Sequence, residues 1–273
     1  MQSRVTKNAS EQLVPWVLPI LLVVIWQVFG SLSLIKSQIL PTPLQVIEAG
    51  IRLTENGELL TNIGISTERA FVGFAIGGSI GFVLGVINGI SHRAERFLDT
   101  TIQMIRTVPH LALIPLVIIW FGIGEGAKVF LVALGVFFPI YLNTFHGIRS
   151  IDPGLIEMGQ VYGFRQVKLY RHVILPGAMP SILVGVRFAL GIMWISLIVA
   201  ETVSATSGIG YMAMNAREFM QMDVVVLSIV LYAILGKLSD TAAKVLERRC
   251  IQWRPVVVTR KWSARKPVKV GIR

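Results

Sequence analysis

The chain has 273 residues, of which 53% are hydrophobic and 15% charged, with a mean hydropathy of +0.68. Apolar residues in that excess exclude a disordered chain and argue against a water-soluble domain. The net charge of +11 would point to nucleic acid in a soluble protein, but in a chain this apolar it reports membrane topology, and no nucleic-acid partner is expected.

Crossing a hydrocarbon core of roughly 30 Å takes about 20 apolar residues in a helix. Six runs qualify in chain order: Leu13 to Gly30, Arg69 to Ile90, a Pro-interrupted run ending near Gly122, Lys128 to Ile148, Met179 to Val203, and Asp223 to about Ala243. They predict an all-α membrane protein with about six transmembrane helices. The first run follows Arg4 and Lys7 and continues into Ser31 to Ser37 without a small-residue cleavage site, so it reads as an uncleaved anchor rather than a signal peptide. In the third, Pro109 to Gly122 is too short alone and borrows residues from Thr100 onward.

This pattern divides the chain into an N-terminus (1–12), a first span with its outer loop (13–60), a core (61–247) and a basic tail (248–273). Basic residues are retained on the cytoplasmic side of a membrane. With the N-terminus inside, 18 Lys and Arg fall in internal segments, against three outside: Lys36, Arg52 and Arg217. Both termini are therefore predicted to be cytoplasmic. The tail carries no acid after Glu247 and reads as a solvated segment beside anionic lipid headgroups.

The second span repeats glycine every fourth residue, at Gly73, Gly77, Gly81, Gly85 and Gly89. On a helix these line one face without side chains and allow a neighbouring helix to approach closely, the packing that drives association in lipid. The same smooth face would also let helices slide past one another.

Two motifs resemble enzyme signatures without their context. Gly208, Gly210 and Ala213 fit G-x-G-x-x-A, but no strand precedes them and Asp223 follows too soon for a ribose contact. Gly236 and Lys237 resemble the end of a phosphate loop, yet Leu238 stands where Ser or Thr is required. His92, His110, His146 and His172 stand alone, and the lone Cys250 adds no ligand set, so neither a catalytic constellation nor a metal site is expected.

The longest internal connection, residues 150–176, is punctuated for structure. Asp152 can cap a helix that starts at Pro153; Leu155, Met158 or Gly159, and Tyr162 share one face; and Gly163 offers a break. A second stretch puts Val167, Tyr170 and Ile174 on one face, so two short amphipathic helices at an angle are predicted, with a surface for a partner.

Within this loop Glu157, Gly163, Val173, Leu175 and Pro176 stand at the spacing of the EAA motif, five specified positions across 20 residues. Met158 and Gly159 replace the two alanines, and Val173 the usual isoleucine. The chain thus resembles the permease subunits of binding-protein-dependent ABC importers. From Ile156 through Glu201, and again from Ser207 through Asp223, it looks like the aliphatic sulfonate permeases, with taurine and nitrate permeases close by. The resemblance implies a type I importer permease fold in a bacterial inner membrane. It implies a homodimer that works with two cytoplasmic ATPase subunits and an extracytoplasmic binding protein. ATP and Mg would be held by the ATPase, with no cofactor in this chain. The loop would be the coupling helix, through Asp152, Leu155, Glu157, Met158, Gly159, Tyr162, Gly163, Leu175 and Pro176.

Charges inside a span are costly and face a cavity or a partner. Arg187 and Glu201 both lie in the fifth span, roughly 21 Å apart along a helix, too far to pair with each other. Arg187 reads either as a cationic contact in an anion path or as an anchor to backbone carbonyls or the interface. Glu201, near the outer end, with Ser204, Thr206 and Ser207, is a candidate for an outer gate. The loop from Ser204 to Met222 is too apolar to stand free in water and is expected to pack at the outer mouth, with its methionines as packing residues. Two other classes are weighed: an autonomous secondary transporter, against which stand the lack of an inverted repeat and the few intramembrane acids, and an intramembrane enzyme, which lacks a nucleophile or metal cluster.

Overall fold

In the computed structural model residues 9–32 and 34–251 are described, the side chains of residues 9–16 and of Ser204 excepted. Arg4, Lys7, the tail beyond Ile251 and the Ser204 side chain, all invoked above, lie outside the described residues. The described residues are mostly helical, with no strand among them.

The first run is α1 (Ala9–Ser31). The connection after it holds an unforeseen helix, α2 (Pro43–Glu55), started by a capping box: the Thr42 side chain accepts from the Gln45 N–H and the Gln45 side chain from the Thr42 N–H, with Pro43 at the first position. Its face of Val46, Ala49 and Leu53 is buried in the core. Gly57, at φ +76°, turns the chain directly into α3 (Glu58–Ile90). This helix begins well before the expected Arg69, because Leu59 and Ile63 also pack against the core.

The third run is not one straight span. α4 (His92–Thr107) meets the segment His110–Phe121, a 3₁₀ turn followed by α5 (Ile114–Phe121), at an 80° bend. Pro109 accounts for the break: it has no N–H to donate, and it forces Val108 into extended backbone (φ −75°, ψ 122°).

The remaining elements are α6 (Glu125–Arg149), α7 (Pro153–Val161), α8 (Gln166–Leu169), a π turn (Tyr170–Ile174), α9 (Leu175–Ser204), α10 (Ile209–Glu218) and α11 (Met222–Cys250). Among the described residues four helical runs are long and apolar enough to cross a membrane: α3, α6, the continuous run Gln166–Val203, and α11. The bent pair makes a fifth.

At the centre α6 is sandwiched between α3 and α9, and the glycine ladder is what allows it. A Cβ added to Gly77 would stand 2.0 Å from the Ala133 carbonyl oxygen, one on Gly81 2.6 Å from that of Phe137, and one on Gly85 2.8 Å from that of Tyr141. Gly73 and Gly89 press equally closely on Val132 and Ile148. On the other flank Gly135 meets Ser196 and Gly185 meets the Pro139 carbonyl. In lipid, where burying apolar surface gives no advantage, such backbone contact supplies the attraction between helices.

Candidate functional site

Two regions at opposite ends of the bundle carry the chemistry. At one end lies the loop 150–176. The Asp152 carboxylate accepts from the Gly154 N–H at 2.8 Å, and Pro153 opens α7, as the spacing predicts. α7 closes with two reversed bonds, Gly163 N–H to the Gln160 carbonyl and Phe164 N–H to the Gly159 carbonyl, around Gly163 at φ +75°. That left-handed residue is where a side chain is penalised.

The faces sort differently from the simple expectation. Leu155, Met158 and Tyr162 point outward, at 46%, 50% and 75% exposure, and Glu157 is exposed beside them. Gly159 faces inward, where a Cβ would meet Leu169 at 2.6 Å, so glycine rather than the motif's alanine suits this packing. The second stretch does not form a separate short helix. Its π turn shifts the side-chain register and runs straight into α9 at Leu175 and Pro176. Leu169 is consequently the buried contact and Val167 is exposed, whereas Ile174, expected on the same face as Val167, packs with Ile148, Ala178 and Ile182. The outer side of Gly163, Phe164 and Val167 lines an open hollow of about 890 Å³.

At the other end a cluster of ionised groups is buried. Arg69 of α3 holds Glu125 of α6 through two nitrogens, Glu201 of α9 at 2.8 Å, and both the carbonyl and the hydroxyl of Ser207. The Glu201 carboxylate is enclosed. It lies 2.8 Å from the Ser66 hydroxyl and accepts from the Tyr232 hydroxyl and the Gly210 N–H, each at 2.9 Å. Gly208, at φ +105°, leaves room for this carboxylate: a Cβ there would stand 2.4 Å from its oxygen. The fingerprint-like Gly208 and Gly210 therefore wrap a carboxylate of their own chain. Glu201, expected in an outer gate, faces no open path here, because every oxygen is taken by α3, α10 or α11. Lys128, one turn into α6, is buried and reaches Glu125 at 3.0 Å. Sequence reasoning placed Arg69 and Lys128 at span ends without partners; the available signal was the acid between glycines, Gly124-Glu125-Gly126, opening a span that holds a lysine.

Arg187 is half exposed and donates to Asp240 of α11 at 2.6 Å, with Lys244 on the same carboxylate. The pair lines a groove of about 520 Å³ between α9 and α11 with Val184, Phe188, Gly191 and Gly236. The loop after α9 packs in part: Met212 is buried and α10 lies against α9 and α11, whereas Phe219 and Met220, expected to pack, are exposed at its end. Beside the Pro109 break, His110 Nε2 lies 2.9 Å from the buried Ser196 hydroxyl.

Helices long and apolar enough to span a membrane, with a capped, outward-facing helical loop at one end, are consistent with a membrane transport subunit. The chain belongs to the family described as the binding-protein-dependent transport system inner membrane component, which matches residues 77–252. It is 60% identical over 241 residues to a protein of Escherichia coli K12 named Putative aliphatic sulfonates transport permease protein SsuC, covering 88% of this chain and 92% of that one. A protein of the same name from Bacillus subtilis 168 is 45% identical over 237 residues (87% and 86%). The taurine transport system permease protein TauC of Escherichia coli K12 is 36% identical over 237 residues (85% and 86%). The fold is similar to that of an amino acid ABC transporter chain, with a TM-score of 0.60, 18% identity and coverage of 72% of this chain and 96% of that one. It is also similar to a chain of the inward-facing MetNI methionine ABC transporter, at 0.56 and 22%, covering 71% and 94%. The chain is thus a multi-pass inner-membrane ABC permease, whose family works with an ATPase and a substrate-binding protein.

Proposed function

We infer that the chain forms the translocation path of an ATP-driven importer of aliphatic sulfonates, as one of two copies joined to two cytoplasmic ATPase subunits, with a binding protein delivering substrate at the other face. The observation that carries the substrate is the 60% identity to the sulfonate permease across nearly the whole of both chains, against 36% to the taurine permease. The chain itself performs no catalysis; ATP hydrolysis belongs to the partner. Both termini and the loop 150–176 face the cytoplasm, in keeping with the excess of Lys and Arg there.

The loop is the coupling helix. Leu155, Met158 and Tyr162 are the apolar surface that enters the ATPase, Glu157 is its charged contact, and Asp152, Gly159 and Gly163 hold α7 in shape. Leu175 and Pro176 join it to α9. In the path, Arg187 offers a cation to an anion only when Asp240 releases it.

Growth of a strain lacking this gene on single sulfur sources tests the reading. Loss on ethanesulfonate and longer alkanesulfonates, restored by the gene, supports it. Loss on taurine alone would move the assignment to taurine, and no loss on any sulfur source would move the search to nitrate.

A further inference from the structure

Arg69 and Lys128 are two cations withdrawn from solvent, with side-chain exposures of 4% and 2%, and the anion that bridges them is not withdrawn at all. The Glu125 side chain is 61% exposed. The four charges differ in how they are held. Glu201 accepts from three separate elements and is enclosed, whereas Glu125 is gripped by Arg69 and Lys128 and stands at the first position of α6. It is flanked by Gly124 and Gly126, and around the preceding Gly122 nothing lies within 4 Å of an added Cβ. Departure of Glu125 would cost the carboxylate little, since it is already largely hydrated, but would leave Arg69 with Glu201 alone and would take from the buried Lys128 the carboxylate it contacts. Such a site stays closed until another anion arrives.

We propose that Arg69 and Lys128 form an anion-binding site in which Glu125 is an exchangeable resident, displaced by the sulfonate group of the substrate. This rests on the sulfonate reading given above. The charges fit. Arg69, Lys128 and Glu201 together carry a net +1, which a monoanion neutralises as Glu125 does. The shape fits as well: a sulfonate stays ionised at any physiological pH, and its three oxygens can meet a planar guanidinium on two and an ammonium on the third. The site lies at the end of the bundle remote from the loop 150–176, the end at which substrate would arrive. The alkyl group would point outward, along the side where Ile123 is exposed.

The test measures binding of radiolabelled ethanesulfonate to the complete permease and ATPase complex in nanodiscs, without the binding protein. E125Q removes the resident charge but keeps an amide oxygen within reach of Arg69 and Lys128; it is measured as the assembled complex, and it tightens binding about tenfold or more, the worth of one charge-assisted hydrogen bond. Adding K128Q to E125Q reverses that gain, and adding K128R keeps it. Equal affinity of the unmutated and E125Q complexes overturns the proposal, as does a gain that survives K128Q. Uptake by the unmutated complex with its binding protein is measured in parallel. Intact alkanesulfonate uptake with no gain in E125Q refutes the exchange site and spares the substrate reading; a gain in E125Q without any alkanesulfonate uptake establishes an anion site and refutes the substrate reading.

Discussion

The two ends of this bundle invert the ordinary rule of what is buried. At the Arg69 end, Arg69, Lys128 and Glu201 are enclosed, and each is answered by a side chain or backbone group of the same chain. At the loop end, apolar side chains are left in the open. The difference teaches where each region finds its complement. A charge taken out of water needs a partner beside it, and losing that partner is costly. An apolar face left exposed on a capped, well-formed helix is completed by another molecule.

Substitutions should separate the two ends sharply. Glu201→Ala leaves Arg69 with one carboxylate in a site built for two, and is expected to cost about 3–5 kcal/mol, the range for breaking a buried ion pair; thermal unfolding of the detergent-solubilised protein should show the loss. Next comes Gly77→Ala, which pushes α3 off the Ala133 carbonyl, at about 1–3 kcal/mol. Its control is Gly191→Ala, where nothing lies within 4 Å of the added Cβ and a gain of up to about 1 kcal/mol is expected from helix propensity alone. Gly163→Ala forces a side chain into the left-handed region and should cost about 1–2 kcal/mol. The same change should lower ATPase-coupled transport more than stability, as uptake per assembled complex would reveal. The smallest effect on stability, within about 0.5 kcal/mol, is expected for Tyr162→Ser, which nonetheless should reduce co-purification of the ATPase. If Tyr162→Ser left that association and transport intact, the exposed face of α7 would not be the docking surface.

The same contrast explains what could be read from the sequence. Features written at short range were legible. The ladder from Gly73 to Gly89 announced a close helix contact. Asp152, Pro153 and Gly163 marked the start and end of α7, and the spacing from Glu157 to Pro176 pointed to the family. The cluster at the other end was not legible, because its partners are far apart in the chain: 56 residues separate Arg69 from Glu125 and 132 separate it from Glu201. Charges at span ends announce a need for partners without saying which. The faces of residues 166–174 were misjudged for a different reason, since a π turn breaks the 3.6-residue period on which any reading of faces depends. The capping box at Thr42 and Gln45 was in plain view, but in a stretch read only as a connection.

The run from Gln166 to Val203 has a mechanical consequence. It is 38 residues of unbroken helical backbone, about 57 Å at 1.5 Å per residue, with the loop 150–176 at one end and Glu201 near the other. A rod of that length is a lever. Pivoted near its middle, where Gly185 bears directly on the Pro139 carbonyl of α6, a tilt of about 5° displaces each end by roughly 2.5 Å in opposite directions. That is comparable to the length of one hydrogen bond in the cluster around Glu201, so a small push at the loop reaches the far end as a choice between bonds kept and bonds released.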